Sequence, residues 1–101
     1  MELKKPAMAG TMESSDVMVM LRPNPGGGIE IDLQSDVKAM FGDAIEAVVR
    51  AVLAEFGVTD AFVGLVDKGA LDCTIRARMQ CAVTRAAGVK YDWTREDGGN
   101  G

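Results

Sequence analysis

The residues best suited to chemistry lie close together near the start of the chain. Gly10-Thr11-Met12-Glu13-Ser14-Ser15-Asp16-Val17 sets two small hydroxyls between two carboxylates, directly before an apolar run. A serine in that position offers an accessible oxygen to which another enzyme can join a phosphate-linked group. Serine also bears a phosphodiester stably, whereas a thiol is redox-labile. Glu13 and Asp16 can orient the segment or recruit a modifying enzyme, although two negative charges oppose an incoming anionic donor. The plain alternative is an ordinary turn, in which serine and aspartate side chains bond nearby backbone groups. Taken alone, this segment leaves both readings open.

Most other chemistry is excluded by what the chain lacks. It has no histidine, which removes the Ser-His-Asp and Cys-His nucleophile systems and the usual histidine-ligated metal sites. Its two cysteines, Cys73 and Cys81, are too few for a zinc site built of cysteine alone. Both fall on one expected helix, about 12 Å apart at their α-carbons. A disulfide needs a separation below roughly 7 Å, so no internal bridge is expected. Helical cysteines of this kind are expected to be buried and inert. The glycine-rich loop from Asn24 to Gly28 lacks the lysine and hydroxyl of a P-loop and leads into a strand, so it reads as a flexible connection.

Net charge is −4, with no basic run, and nucleic-acid binding has no electrostatic support. An acidic surface does permit steering toward basic partners. Four cations in the second half are available to phosphates or to an acidic partner: Lys68, Arg76, Arg78 and Arg85. Arg78 and Arg85 share a helix face, while Arg76 points elsewhere. Solvated surface charge is the plainer explanation for each of them taken singly.

Elements must hold these groups in place. A chain of 101 residues makes one domain, able to bury roughly two-thirds of its unfolded surface. Val17-Met18-Val19-Met20-Leu21 is a short apolar strand, and Ile29-Glu30-Ile31-Asp32-Leu33 alternates as a half-buried strand should. The two read as an antiparallel pair. From Ser35 to Gly57 the period becomes helical, with Val37, Met40, Phe41, Ala44, Ile45, Val48, Val49, Val52, Leu53 and Phe56 on one stripe. Ser35 is suited to cap it, with Asp36 in the first turn. Ala61 to Val66 is a third strand. A second helix runs from about Ala70 to Ala87, capped near Asp67, with Leu71, Ile75, Met79, Ala82, Val83 and Ala86 facing inward.

The expected fold is therefore α+β: a small, mostly antiparallel sheet of three strands, with Ala7 to Thr11 as a possible fourth, packed on two helices. Residues 1–88 form the domain. Residues 89–101, with Tyr91 and Trp93, are expected to be a tail that is at least partly disordered. Met1 to Pro6 lacks the apolar core of a signal peptide, and no apolar run reaches the roughly 18 residues of a membrane span. Two reduced cysteines suit the cytosol, so a soluble cytoplasmic protein with no membrane partner is expected.

A second segment changes the weighing of the first. Asp67-Lys68-Gly69-Ala70-Leu71-Asp72-Cys73-Thr74-Ile75-Arg76-Ala77-Arg78, taken with Gly10 to Val17, resembles the acyl carrier protein, or gamma subunit, of citrate lyase. Phe41-Gly42-Asp43-Ala44-Ile45 matches as well, and the likeness covers about Ala7 to Ala87. The resemblance implies a non-catalytic carrier. In it, Ser14 would bear a covalent 2'-(5''-phosphoribosyl)-3'-dephospho-CoA group through a phosphodiester, placed there by a prosthetic-group transferase. Its thiol would hold an acetyl group that the alpha subunit exchanges for citryl. The beta subunit would then cleave citryl to oxaloacetate and regenerate the acetyl carrier. Ser15 is the competing attachment point, but position favours Ser14. The Asp-Ser-Leu of the four-helix-bundle fatty-acid carriers is absent. A malonate decarboxylase carrier and an unmodified structural or binding subunit are the alternatives.

Overall fold

The structure is a computed structural model that describes residues 1–35 and 38–89, with the backbone alone for Lys38 to Met40. The expected roles of Asp36, Val37, Met40, Tyr91 and Trp93 lie outside the described residues. Chain order is β1 (Ala7–Gly10), β2 (Val17–Pro23), β3 (Ile29–Ser35), α1 (Lys38–Glu55), β4 (Ala61–Asp67) and α2 (Asp72–Ala87). The class is α+β, as expected, and the possible fourth strand is present as β1.

The sheet runs β1-β2-β4-β3. β1 pairs antiparallel with β2, β2 antiparallel with β4, and β3 parallel with β4. The expected hairpin between the second and third strands is thus corrected: β4 lies between them. Composition is compatible with this order. Ala61 to Val66 carries no charged side chain, so it suits a position with a ladder on both sides. Glu30, Asp32 and Gln34 put polar groups on alternate positions of β3, which suits an edge. The Asn24–Gly28 loop crosses the end of β4 to reach that edge. Gly28 accepts a 2.9 Å hydrogen bond from the Ala61 N–H and donates one of 2.9 Å to Asp60.

Both helices cover one face of the sheet. Val17, Val19 and Leu21 of β2, with Val63 and Leu65 of β4, point into a core completed by Val49, Val52, Leu53, Ile75, Met79, Val83 and Ala86. These side chains are essentially inaccessible, and each one larger than alanine removes roughly 1.5–3 kcal/mol worth of apolar surface from water.

Three expectations about the helix faces need correction. Phe41 and Leu71 belong to the expected core stripes, yet they are 50% and 71% exposed. Ala44 is exposed too. α2 starts two residues later than expected, after an extended Leu71, and no side chain caps it. Asp67 is fully buried and caps the turn before the helix: it accepts from the Ala70 N–H at 2.9 Å and from Ser35 Oγ at 2.8 Å. Phe41 and Leu71 instead line a mostly apolar groove of about 390 Å³ beside that turn. Gly88 ends α2 in the left-handed region. Among the described residues no helix is long and apolar enough to cross a membrane.

Candidate functional site

The six residues Thr11 to Asp16 join β1 to β2. Gly10 opens the connection with φ +95°, a backbone state L side chains rarely adopt. A Cβ there would sit 1.8 Å from the Val17 carbonyl oxygen, so the two chain ends of the loop approach backbone to backbone.

Asp16 organises the loop. One carboxylate oxygen accepts from the Val17 N–H at 2.7 Å, and the other from Thr11 Oγ1 at 2.6 Å. Thr11 Oγ1 in turn accepts from the Glu13 N–H at 3.2 Å. Arg78, in the second turn of α2, grips the same carboxylate at both oxygens: Nε to Oδ1 at 3.0 Å and Nη2 to Oδ2 at 2.8 Å. Bidentate pairs of this kind are among the stronger hydrogen bonds available to a protein. The Arg78 guanidinium, helped by Thr11 and the Val17 N–H, holds the Asp16 carboxyl well below the usual carboxylate range. Asp16 likewise pushes the Arg78 guanidinium upward.

The β2–β4 ladder reaches past the end of the strands. The Lys68 N–H donates to the Asp16 carbonyl at 2.9 Å, and the Ser15 N–H donates to the Lys68 carbonyl at 2.8 Å. Ser15 has φ +65°, the one positive value outside glycine among the described residues. Between these anchors the chain turns at Ser14 and Ser15, and both side chains are exposed. Among the described residues the Ser14 hydroxyl has no hydrogen-bond partner. The loop is rigid at its base and open at its tip. Such an arrangement leaves the Ser14 hydroxyl open to solvent, with no side chain bonded to it among the described residues.

The remaining candidate residues occupy separate settings. Arg76 pairs with Glu55 of α1 at 2.8 Å, on the surface and away from the loop. Arg85 donates to the Met8 carbonyl at 2.6 Å, so it shares the β1-facing side of α2 with Arg78, as the spacing predicts. Lys68 is half-buried, and its ammonium has no partner among the described residues. Cys73 and Cys81 are both free, and Cys73 is exposed, contrary to the expectation of burial. The anchoring parts of Gly10, Thr11 and Lys68 escaped sequence reasoning. A glycine followed by Thr and then Asp five residues later is a usable loop signal only once Arg78 is known to reach it.

Known proteins resemble the chain at two levels. The family model described as malonate decarboxylase delta subunit (MdcD) matches residues 4–86. A citrate lyase acyl carrier protein of Streptococcus equi subsp. zooepidemicus is 50% identical over 101 residues, covering 99% of both chains. One of Latilactobacillus sakei is 54% identical over 94 residues, covering 92% of each. One of Escherichia fergusonii is 56% identical over 87 residues, covering 86% of this chain and 90% of its own. Among solved structures, a chain of a Pseudomonas malonate decarboxylase hetero-tetramer in complex with malonate superposes with TM-score 0.68 at 21% identity, covering 85% of this chain and 92% of that one. Part of a homoserine kinase from Cytophaga hutchinsonii superposes with TM-score 0.58 at 13% identity, covering 92% of this chain and 37% of that one. These two likenesses concern the fold alone.

Proposed function

Because the chain belongs to the citrate lyase acyl carrier protein family, we propose that it is the carrier subunit of a citrate lyase complex, with Ser14 as its attachment point. The observation that carries this reading is the state of Ser14: exposed, unpartnered within the described residues, and held at the tip of a loop anchored on both sides.

The residues present fit the implied 2'-(5''-phosphoribosyl)-3'-dephospho-CoA group. Its phosphodiester needs a free serine oxygen with open space around it, and Ser14 offers both. The objection from charge also weakens. Asp16 lies two residues away, but Arg78 already neutralises it, leaving Glu13 as the uncompensated carboxylate of the loop. When bound, the group supplies a thiol on a long tether for acyl groups. The chain's own part is to hold Ser14 outward while the modifying enzyme removes the hydroxyl proton, and afterwards to keep the attachment loop from folding back onto the domain. Ser15 is less suited, since its backbone is committed to the left-handed turn and to Lys68.

The partners implied by this reading are the citrate lyase alpha and beta subunits and a prosthetic-group transferase, with the chain itself non-catalytic. Relatives at 50–56% identity are citrate lyase carriers. The malonate decarboxylase chain shares the fold at 21%. That difference favours the citrate lyase reading over the malonate decarboxylase one. The test is the intact mass of the protein isolated from its native host while it cleaves citrate, with peptide mapping around Ser14. A single coenzyme-A-like adduct on Ser14 is the expected result. An unmodified chain from such cells overturns the carrier reading and leaves a binding subunit.

A further inference from the structure

We propose that Lys68 supplies the counter-charge for the phosphodiester on Ser14, a positioning role carried by its backbone ladder to the attachment loop. The inference rests on the reading of Ser14 as the attachment point.

Distance permits the contact. The Ser15 N–H and Lys68 carbonyl are 2.8 Å apart between heavy atoms. Adding the fixed covalent spans on either side puts the Ser14 and Lys68 α-carbons no more than about 8 Å apart. An extended lysine side chain reaches about 6 Å from its α-carbon, and a phosphorus esterified to serine lies about 4 Å from its own. The ammonium and the phosphate are therefore within reach of each other without any backbone movement. The second Lys68 bond, from its N–H to the Asp16 carbonyl at 2.9 Å, keeps that separation fixed.

Side-chain partners separate Lys68 from the three arginines considered with it. Arg76 is taken by Glu55, Arg78 by Asp16, and Arg85 by the Met8 carbonyl. Lys68 has no such partner among the described residues. A phosphodiester on Ser14 would otherwise face Glu13 with no unpaired cation of this group, among the described residues, to offset it. A lysine suits this task because it acts as a flexible point charge and does not need the planar fork of arginine.

The experiment compares lysine reactivity in the full chain with and without the arm. Limited acetylation by an activated acetate ester is followed by peptide mass spectrometry, and Lys68 is read against Lys4 and Lys5 as internal references. Only the neutral amine reacts, and a nearby phosphate keeps the amine charged. Lys68 should label about three- to tenfold more slowly in the arm-bearing chain, a change typical of an opposite charge brought close. The difference should shrink as salt is raised toward 1 M, where screening acts over about 3 Å. Equal labelling in both forms overturns the role of Lys68 while leaving Ser14 as the attachment point. Protection that salt does not reduce at all marks steric cover and overturns it too. If the chain from the native host carries no arm on Ser14, the attachment reading and this inference fall together.

Discussion

Asp16 and Arg78 stand 62 positions apart in the chain and meet through two hydrogen bonds of 3.0 and 2.8 Å. The contact ties the β1–β2 loop to α2, so the helix that seals the core also sets where Ser14 is displayed. Arg78 is 39% exposed while the Asp16 side chain is 13% exposed, so the pair sits at the rim where water screens it in part.

Replacing Asp16→Asn keeps the shape and removes the charge. The expected cost is about 1–2 kcal/mol, the range of a hydrogen bond to a charged group trimmed for exposure. Urea denaturation measures it. Amide exchange at Ser15 and Val17 should quicken in the variant more than exchange in α1 does. Unchanged exchange at those two amides would show that the ion pair does not hold the loop.

Acid should act on the same contact. The Asp16 carboxyl is held below its ordinary value in the folded chain, chiefly by Arg78. The unfolded chain therefore takes up its proton first on acidification, and stability falls. The contribution is fully present above the unfolded value of about 4 and drains away as pH drops below it. The stability gap between the natural chain and Asp16→Asn should be constant from pH 7 to pH 5 and should narrow by pH 3. A gap that stays constant down to pH 3 contradicts the assignment.

Ser14→Ala should leave folding unchanged within about 0.5 kcal/mol, because an exposed turn hydroxyl contributes little. It should never gain the adduct mass in the native host, and citrate cleavage should stop. Ser15→Gly fits the φ of +65° without strain and should be modified normally. Loss of modification in Ser15→Gly with retention in Ser14→Ala would move the attachment point by one residue.

Gly10→Ala should be among the most damaging single changes in the loop. The added Cβ meets the Val17 carbonyl oxygen at 1.8 Å, and φ is +95°. Gly26 provides the control: its φ is +70°, with nothing within 4 Å of the same position. Gly26→Ala should cost about 1 kcal/mol from backbone strain alone. Gly10→Ala should cost on the order of 3 kcal/mol or prevent folding. Thermal melts of the two variants side by side isolate the clash from the strain.

Local pattern carried much of this fold. The period-2 alternation of Ile29 to Leu33, the apolar run at Val17 and the long stripe of α1 reported their elements because each depends on neighbours a few residues away. The same holds for Ser14, whose small exposed hydroxyl between acidic residues is a property of one short segment. Where the pattern misled, it did so at the margins of the core. Phe41 and Leu71 fit the helical spacing, but Phe41 stands exposed on α1 and Leu71 is extended before α2 starts, and periodicity has no knowledge of where a helix begins or a partner surface stops.

What the sequence by itself determined is the kind of chain this is: an α+β domain with no histidine chemistry and a pair of serines set between two carboxylates. Only the tertiary structure decided that β4 enters between β2 and β3, that Asp67 is buried in the turn before α2, and that Arg78 and Lys68 close on the loop from a distant part of the chain. The physical reason is range. Backbone propensity and amphipathic period act over a few residues, whereas strand order and ion pairing depend on which surfaces the whole chain buries together.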